Sequence, residues 1–136
     1  MDNKAHLQFL GYKVRNSYVK VDDGVSKEFE IGFDPKGTIH NDSNLFTLFL
    51  KVFIRDSNKK LEIKIEVEGR FKFKDKEDER IEDFLYLNAP AILFPYVRSY
   101  VNTISVLSGH QAIILPTLNL SSLREKLKNN TTEVDE

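Results

Sequence analysis

The chain has 136 residues, enough for one domain with a single core at about 100–200 residues per domain. Hydrophobic residues make up 40% and charged residues 30%, which excludes a disordered or collagen-like chain. Lys and Arg number 20 against 21 Asp and Glu, a formal net charge of −1, so no basic excess points to nucleic acid, and the lack of cysteine removes disulfides, thiolate metal sites and cysteine nucleophiles.

The front of the chain reads as four strands. His6 to Val21 alternates through Leu7 and Phe9, is broken in phase by Gly11, resumes at Tyr12 and Val14, and closes at Asp22-Asp23-Gly24. A second strand centres on Phe29, Ile31 and Phe33 and is expected to end in a turn at Asp34-Pro35-Lys36-Gly37. Leu45 to Ile54 is apolar at both parities, the pattern of a strand buried on both faces. Asp56-Ser57-Asn58-Lys59 then makes a hairpin loop. The fourth strand alternates most cleanly: Leu61, Ile63, Ile65, Val67, Phe71 and Phe73 face one side, and Glu62, Lys64, Glu66, Glu68, Arg70 and Lys72 the other.

Lys74 to Arg80 is charged throughout and reads as a solvated crossover. Asn88-Ala89-Pro90 is a plausible helix start, but Pro95 means the helix either begins late, near Leu93, or bends there. It runs to Ser108 and stops at Gly109. Leu93, Val97, Val101, Ile104 and Leu107 form its stripe, widened by Ile92, Tyr96 and Tyr100, with Arg98, Asn102 and Ser105 as a narrow polar strip. Arg98 is the only charge between Ala89 and Gly109, too little for a solvated face. Burial on more than one side follows, most simply against another subunit. His110 to Leu120 is an extended, looping stretch, and Ser122-Leu123-Arg124-Glu125 has capping-box form and opens a short helix with Leu123 and Leu127 on one side. The expectation is an α+β fold, a four-stranded antiparallel sheet followed by a long helix and a short C-terminal helix, in one domain over 1–128 with a disordered tail at 129–136.

Catalytic constellations are not found. His6, His40 and His110 are scattered with no carboxylate at metal-ligand spacing, and Gly32 to Gly37 has the glycine spacing of a phosphate loop but is followed by Thr38-Ile39. No catalytic residue, metal ligand or cofactor is expected. The N-terminus lacks an apolar signal-like stretch, so the matches at Asn41, Asn119, Asn129 and Asn130 are not expected to be glycosylated. Phe84 to Leu107 carries too many polar residues and prolines to insert in a membrane. What is left over is a surplus of large apolar residues: any one of them is expected in the ordinary core, and those that stay exposed as a long patch bind polypeptide by default.

Ala89-Pro90-Ala91-Ile92-Leu93-Phe94-Pro95-Tyr96-Val97-Arg98 resembles the Pro-Asn-Ile-Leu-Phe-Pro-Tyr-Ala-Arg stretch that opens the long helix of the SecB-like protein-export chaperone family. Leu115-Pro116-Thr117-Leu118-Asn119-Leu120 is similar to its Phe-Pro-Gln-Leu-Asn-Leu segment, and the order of elements agrees. The resemblance implies a cytoplasmic, ATP-independent holdase for unfolded polypeptides, built as a homotetramer, a dimer of dimers. It implies a client groove at Phe29, Ile31 and Phe33, at Leu61, Ile63, Ile65 and Val67, and at Leu118, Leu120, Leu123 and Leu127. Tyr96, Tyr100 and Ile104 are expected at the oligomer interface. Export-dedicated members dock the motor SecA through acidic sheet residues, whereas the polar face of the fourth strand here is balanced in charge. A chaperone dedicated to one client, such as an antitoxin, shares the fold, and a small-molecule or lipid-binding α+β domain is the reading from another class.

Overall fold

The computed structural model describes residues 6–117 and 119–136, and of Leu120 the backbone alone. Strands β1 (Leu7–Val21), β2 (Phe29–His40), β3 (Leu45–Asp56) and β4 (Leu61–Phe73) form an antiparallel sheet, and a fifth strand, β5 (Thr131–Val134), is added at its edge. The order is β1-β4-β3-β2-β5. A long helix spans residues 81–107 and a short C-terminal helix spans Leu120–Asn129. This is the expected α+β architecture, with one strand more.

Period-2 alternation decides which face is covered. On β3 the side chains of Phe46, Leu48, Leu50, Val52 and Ile54 are buried, as are Leu61, Ile63, Ile65, Val67, Phe71 and Phe73 on β4. Leu93, Val97 and Val101 of the long helix are buried in the same core. Gly69 interrupts the apolar series on β4 for a steric reason: a Cβ there would lie 3.1 Å from Leu93 Cδ2 and 3.2 Å from Phe71 Cε2. Gly11 sits at a bulge in β1 with φ of 129°, a conformation that L side chains rarely adopt. The second face of β3 is not buried as expected: Leu45 and Phe49 are half-buried and Phe53 is exposed, because no helix or strand among the described residues packs on that side.

Three other boundaries differ from expectation. Residues 34–37 are not a turn; β2 runs through them in unbroken register with β3, Pro35 opposite Leu50 and Gly37 opposite Leu48. Gly37 N–H donates away from β3, to Asn130 O at 3.2 Å. Pro35 has the same parity, so the N–H it lacks is one that β3 does not need. The turn comes at residues 41–44, where Asn44 has φ of 55°. The long helix starts at Ile81, with Glu82 and Asp83 favourably placed in its first turn. A π-helical stretch, Phe84–Asn88, follows, in which Ala89 N–H bonds to Phe84 O, and regular α-helix then continues over Ala89–Leu107. The wider turn shifts the hydrogen-bond ladder just before Pro90, which has no N–H to give it. The C-terminal helix is capped by Asn119, whose side chain accepts Ser122 N–H at 3.2 Å, so Ser122 lies inside the helix and not at its cap.

The end of the long helix is as expected. Gly109 has φ of 89°, its N–H bonds to Val106 O at 3.0 Å, and His110 N–H bonds to Ser105 O at 3.0 Å. Residues 129–136 are not a disordered tail. Thr131 to Val134 pair in parallel with Gly37 to His40 of β2. Thr131 Oγ1 donates to Leu127 O at 2.6 Å, and Lys76 pairs with Glu133.

Candidate functional site

The inner face of β2 is incompletely covered at its first three apolar positions. Phe29, Ile31 and Phe33 point to the helix side, opposite Asp56, Ile54 and Val52 of β3, and all three are half-buried. Phe33 meets Phe94 of the long helix edge to face, with ring centroids 5.6 Å apart. Phe29 meets the His110 ring at 6.1 Å in the same manner. Beyond the helix the chain returns across this region, burying Ile113 and Leu115 and leaving Ile114 70% exposed. Ser105, expected on a polar strip, is fully buried and holds this return segment: its Oγ accepts Ile113 N–H at 3.0 Å and donates to Asn102 O at 2.8 Å. The result is a partly covered apolar strip, the trough, with β2 side chains against Phe94 and against His110 at the start of the return segment.

The edge of β2 is open along this trough. β5 covers residues 37–40 only. At residues 29–35 the odd-numbered backbone groups point outward, as Phe33 O and Pro35 O show by accepting the side chains of Lys126 (2.9 Å) and Asn130 (3.4 Å). Ile31 faces the same way, so its N–H and C=O are presented to an extended chain laid beside β2.

The other residues expected in the groove lie elsewhere. Leu61, Ile63, Ile65 and Val67 are buried to 2% exposure or less in the central core, so in this chain they offer a client no surface. Leu123 and Leu127 are buried where the C-terminal helix packs on β2 and on the π-helical stretch. Leu118 and the side chain of Leu120 fall outside the described residues. His110 and Phe94 line the trough and were not assigned to it by sequence; their contacts with Phe29 and Phe33 join distant parts of the chain and leave no local pattern.

The long helix exposes a second apolar face. Tyr96 packs on Phe9 and Tyr12 of β1 with centroids at 5.3 and 5.0 Å, and Tyr100 OH is bonded to Ser17 Oγ at 2.9 Å. Ile104 is half-buried. Leu107 (79% exposed), Val106 (50%) and Tyr96 (42%) lie outward beside Pro95, Ser99 and Thr103. The helix is therefore covered on one side by its own sheet and exposed on the other, where the return segment borders it at Arg98, Ser99, Asn102 and Thr103.

Two carboxylates are held well below the usual range, and both serve loops. Burial raises the Asp56 pKa, but the backbone N–H groups of Leu61, Ser26, Lys60 and Asn58 outweigh it and bring it from 3.8 to about 2. The Arg80 guanidinium and backbone hold Asp78 at about 2. No group of three or more His, Cys, Asp or Glu suited to a metal occurs among the described residues, and no helix there is long and apolar enough to cross a membrane.

Residues 26–131 match the family model described as preprotein translocase subunit SecB. The chain belongs to the SecB family. It is 26% identical to the protein-export protein SecB of Magnetococcus marinus over 123 residues, 88% of this chain and 78% of that one. It is likewise 26% identical to the uncharacterised protein MJ0357 of Methanocaldococcus jannaschii, over 96% of this chain and 86% of that one. The structure of the Mycobacterium tuberculosis SecB-like chaperone Rv1957, solved with a ChAD peptide from the Rv1956 HigA1 antitoxin, superposes with a TM-score of 0.68 over 84% of this chain and 88% of that one, at 15% identity. The SecB family consists of chaperones that bind polypeptide clients and are not enzymes.

Proposed function

We propose that this SecB-family chain is an ATP-independent holdase that keeps polypeptides unfolded in the cytoplasm by binding them in the trough beside β2. The observation that carries the reading is the coincidence of two unmet surfaces: the half-buried Phe29, Ile31 and Phe33, and the open backbone edge at Ile31. An extended client satisfies both at once, its side chains on the trough and its main chain on the strand edge. Each contact is weak, about 25 cal/mol per Å² of apolar area, and is offset by the cost of ordering the client. Such binding is tolerant of sequence and reversible without nucleotide.

The bare face of the long helix supports assembly into a homotetramer, a dimer of dimers. Leu107, Val106 and Tyr96, on a helix whose Ala89–Leu107 stretch has a single charge, are otherwise left in water. A client restricted to one protein, such as an antitoxin, is the second reading. It is favoured by the fold shared with Rv1957, which was solved with an antitoxin peptide. Docking of SecA through an acidic sheet face has no support here, since the outer face is not acidic. A lipid or small-molecule site has less support: the cleft of about 720 Å³ on the outer face is open and bordered by Arg15, Lys36, Lys51 and Glu66.

Light scattering after size exclusion, with the chain alone and with a permanently unfolded polypeptide, tests the reading. The expected result is a tetramer mass that takes up the polypeptide without ATP. A monomer that ignores it overturns both the assembly and the holdase.

A further inference from the structure

Along β4 the outer face of the sheet looks balanced in charge, but the register places other strands beside it. Lys13 of β1 lies opposite Glu68, Phe49 of β3 lies on the other side of Glu68, and Lys36 of β2 lies beside Phe49. Arg15, at the second bulge of β1, donates to Glu68 Oε2 through Nε at 2.9 Å. Arg70 and Lys72 follow on β4, flanked by Thr47 and Leu45 of β3. Toward the β2–β3 turn, the strands of this face thus carry five cations, Lys13, Arg15, Lys36, Arg70 and Lys72, against one carboxylate, and Arg15 already neutralises it. Among the described residues, Lys13, Lys36, Arg70 and Lys72 have no ion-pair partner, and Lys36 instead stands 5.8 Å from the centroid of the Phe49 ring.

The other half of the face is different. Glu30, Glu62 and Glu66 are matched there to Arg55, Lys64 and Lys51. The uncompensated charge is confined to about 13 Å of strand length, little more than a Debye length at 0.1 M salt, so the cations act on a ligand together. Phe49 is half-buried within this zone and lines the open cleft of about 720 Å³ shared with Arg15, Lys36 and Lys51.

We propose that this end of the outer face docks an acidic polypeptide segment, with one large apolar side chain seated on Phe49 and carboxylates over Lys13, Lys36, Arg70 and Lys72. The site is on the side of the sheet away from the trough and is independent of client binding there. Charge complementarity selects the partner. A nucleic acid needs a continuous basic track and successive stacking platforms. Here the track ends at Asp34 and Glu66, the zone has a single aromatic ring already under Lys36, and the whole chain has a net charge of −1.

The test is fluorescence polarisation with a labelled peptide of Asp and Glu around a central Phe-Leu pair, its Asn/Gln twin, and an oligothymidylate of matching length. The acidic peptide binds, the amide twin does not, and binding falls as salt rises. The double variant R70E/K72E weakens it about tenfold or more, and Phe49→Ala weakens it as well. Ile31→Asp leaves it unchanged. Lys13→Glu, on the sheet edge, gives an independent reading should the double variant melt early. Undiminished binding by R70E/K72E or Lys13→Glu overturns the proposal. Loss with Ile31→Asp, which places the peptide in the trough, and tighter binding of the oligothymidylate overturn it too.

Discussion

Ser105 Oγ accepts the backbone N–H of Ile113 at 3.0 Å, inside the core. This bond sets where the chain turns back after the long helix, and so sets one wall of the trough. Ser105→Ala leaves the Ile113 N–H buried without a partner, at a cost of about 1–3 kcal/mol. Thermal melting falls accordingly, and hydrogen exchange at Ile113 accelerates well beyond exchange in β4. Unchanged protection at Ile113 would show that the return segment is held by apolar packing alone.

Asp56 clamps the β3–β4 hairpin and the β1–β2 connection together. Its Oδ1 accepts Lys60 and Leu61 N–H and its Oδ2 accepts Ser26 N–H, each at 2.8 Å. With the folded pKa lowered from 3.8 to about 2, the carboxylate stabilises the fold fully above pH 4. That contribution disappears as pH falls through about 4 toward 2. Asp56→Asn is expected to melt lower than the parent at pH 7, with the gap closing toward pH 2. A gap independent of pH would assign the role to shape and not to charge.

The trough and the core respond to the same substitution in opposite ways. Ile31 is half-buried at an open edge, so Ile31→Asp leaves the chain folded and cuts the uptake of unfolded polypeptide. Ile63 has no exposed area, so Ile63→Asp buries an unpaired carboxylate and destabilises by more than about 4 kcal/mol. Circular dichroism and client binding measured on both variants decide. Equal loss of fold in both would place Ile31 in the core.

Assembly is best probed at the centre of the bare helix face. Thr103→Arg adds a charged side chain at an exposed position beside Ile114 of the return segment and is expected to lower the solution mass while the melting of secondary structure is retained. Tyr100→Asp is a poorer probe, because it also removes the bond from Tyr100 OH to Ser17 Oγ within the chain. An unchanged mass for Thr103→Arg would take this helix face out of the interface.

Deleting residues 131–136 removes β5 and uncovers the β2 edge at residues 37–40. The loss of its ladder, of the Thr131–Leu127 bond and of the Lys76–Glu133 pair costs about 1 kcal/mol or more. Lower melting and faster aggregation on heating are the expected readouts; a truncated chain as stable as the parent would make β5 dispensable.

The four strands of the front half were legible because three of them alternate with one apolar parity and the third is a short apolar run, and the helix stop at Gly109 because only a glycine fits that backbone well. Proline misled twice. Pro35 does not end β2, since its parity faces away from β3, and Pro90 does not start a helix, since a π-helical turn carries the ladder past it. The tail was misread because Thr131 to Val134 has no apolar face of its own; it becomes a strand only beside an edge already in place.

Local periodicity and chirality are properties of neighbouring residues, so sequence by itself determined the α+β class, the buried parity of β4, and the charge-poor stretch Ala89–Leu107 of the long helix. The trough joins residues as distant as Phe29, Phe94 and His110, and the basic zone joins Lys13, Lys36 and Arg70. Strand register and the return of the chain over the sheet bring these groups together. Only the tertiary structure decided that Ile31 is accessible while Ile63 is not, and that a face balanced along one strand is positive across four, because burial and charge density depend on what lies alongside and not on what lies next in the chain.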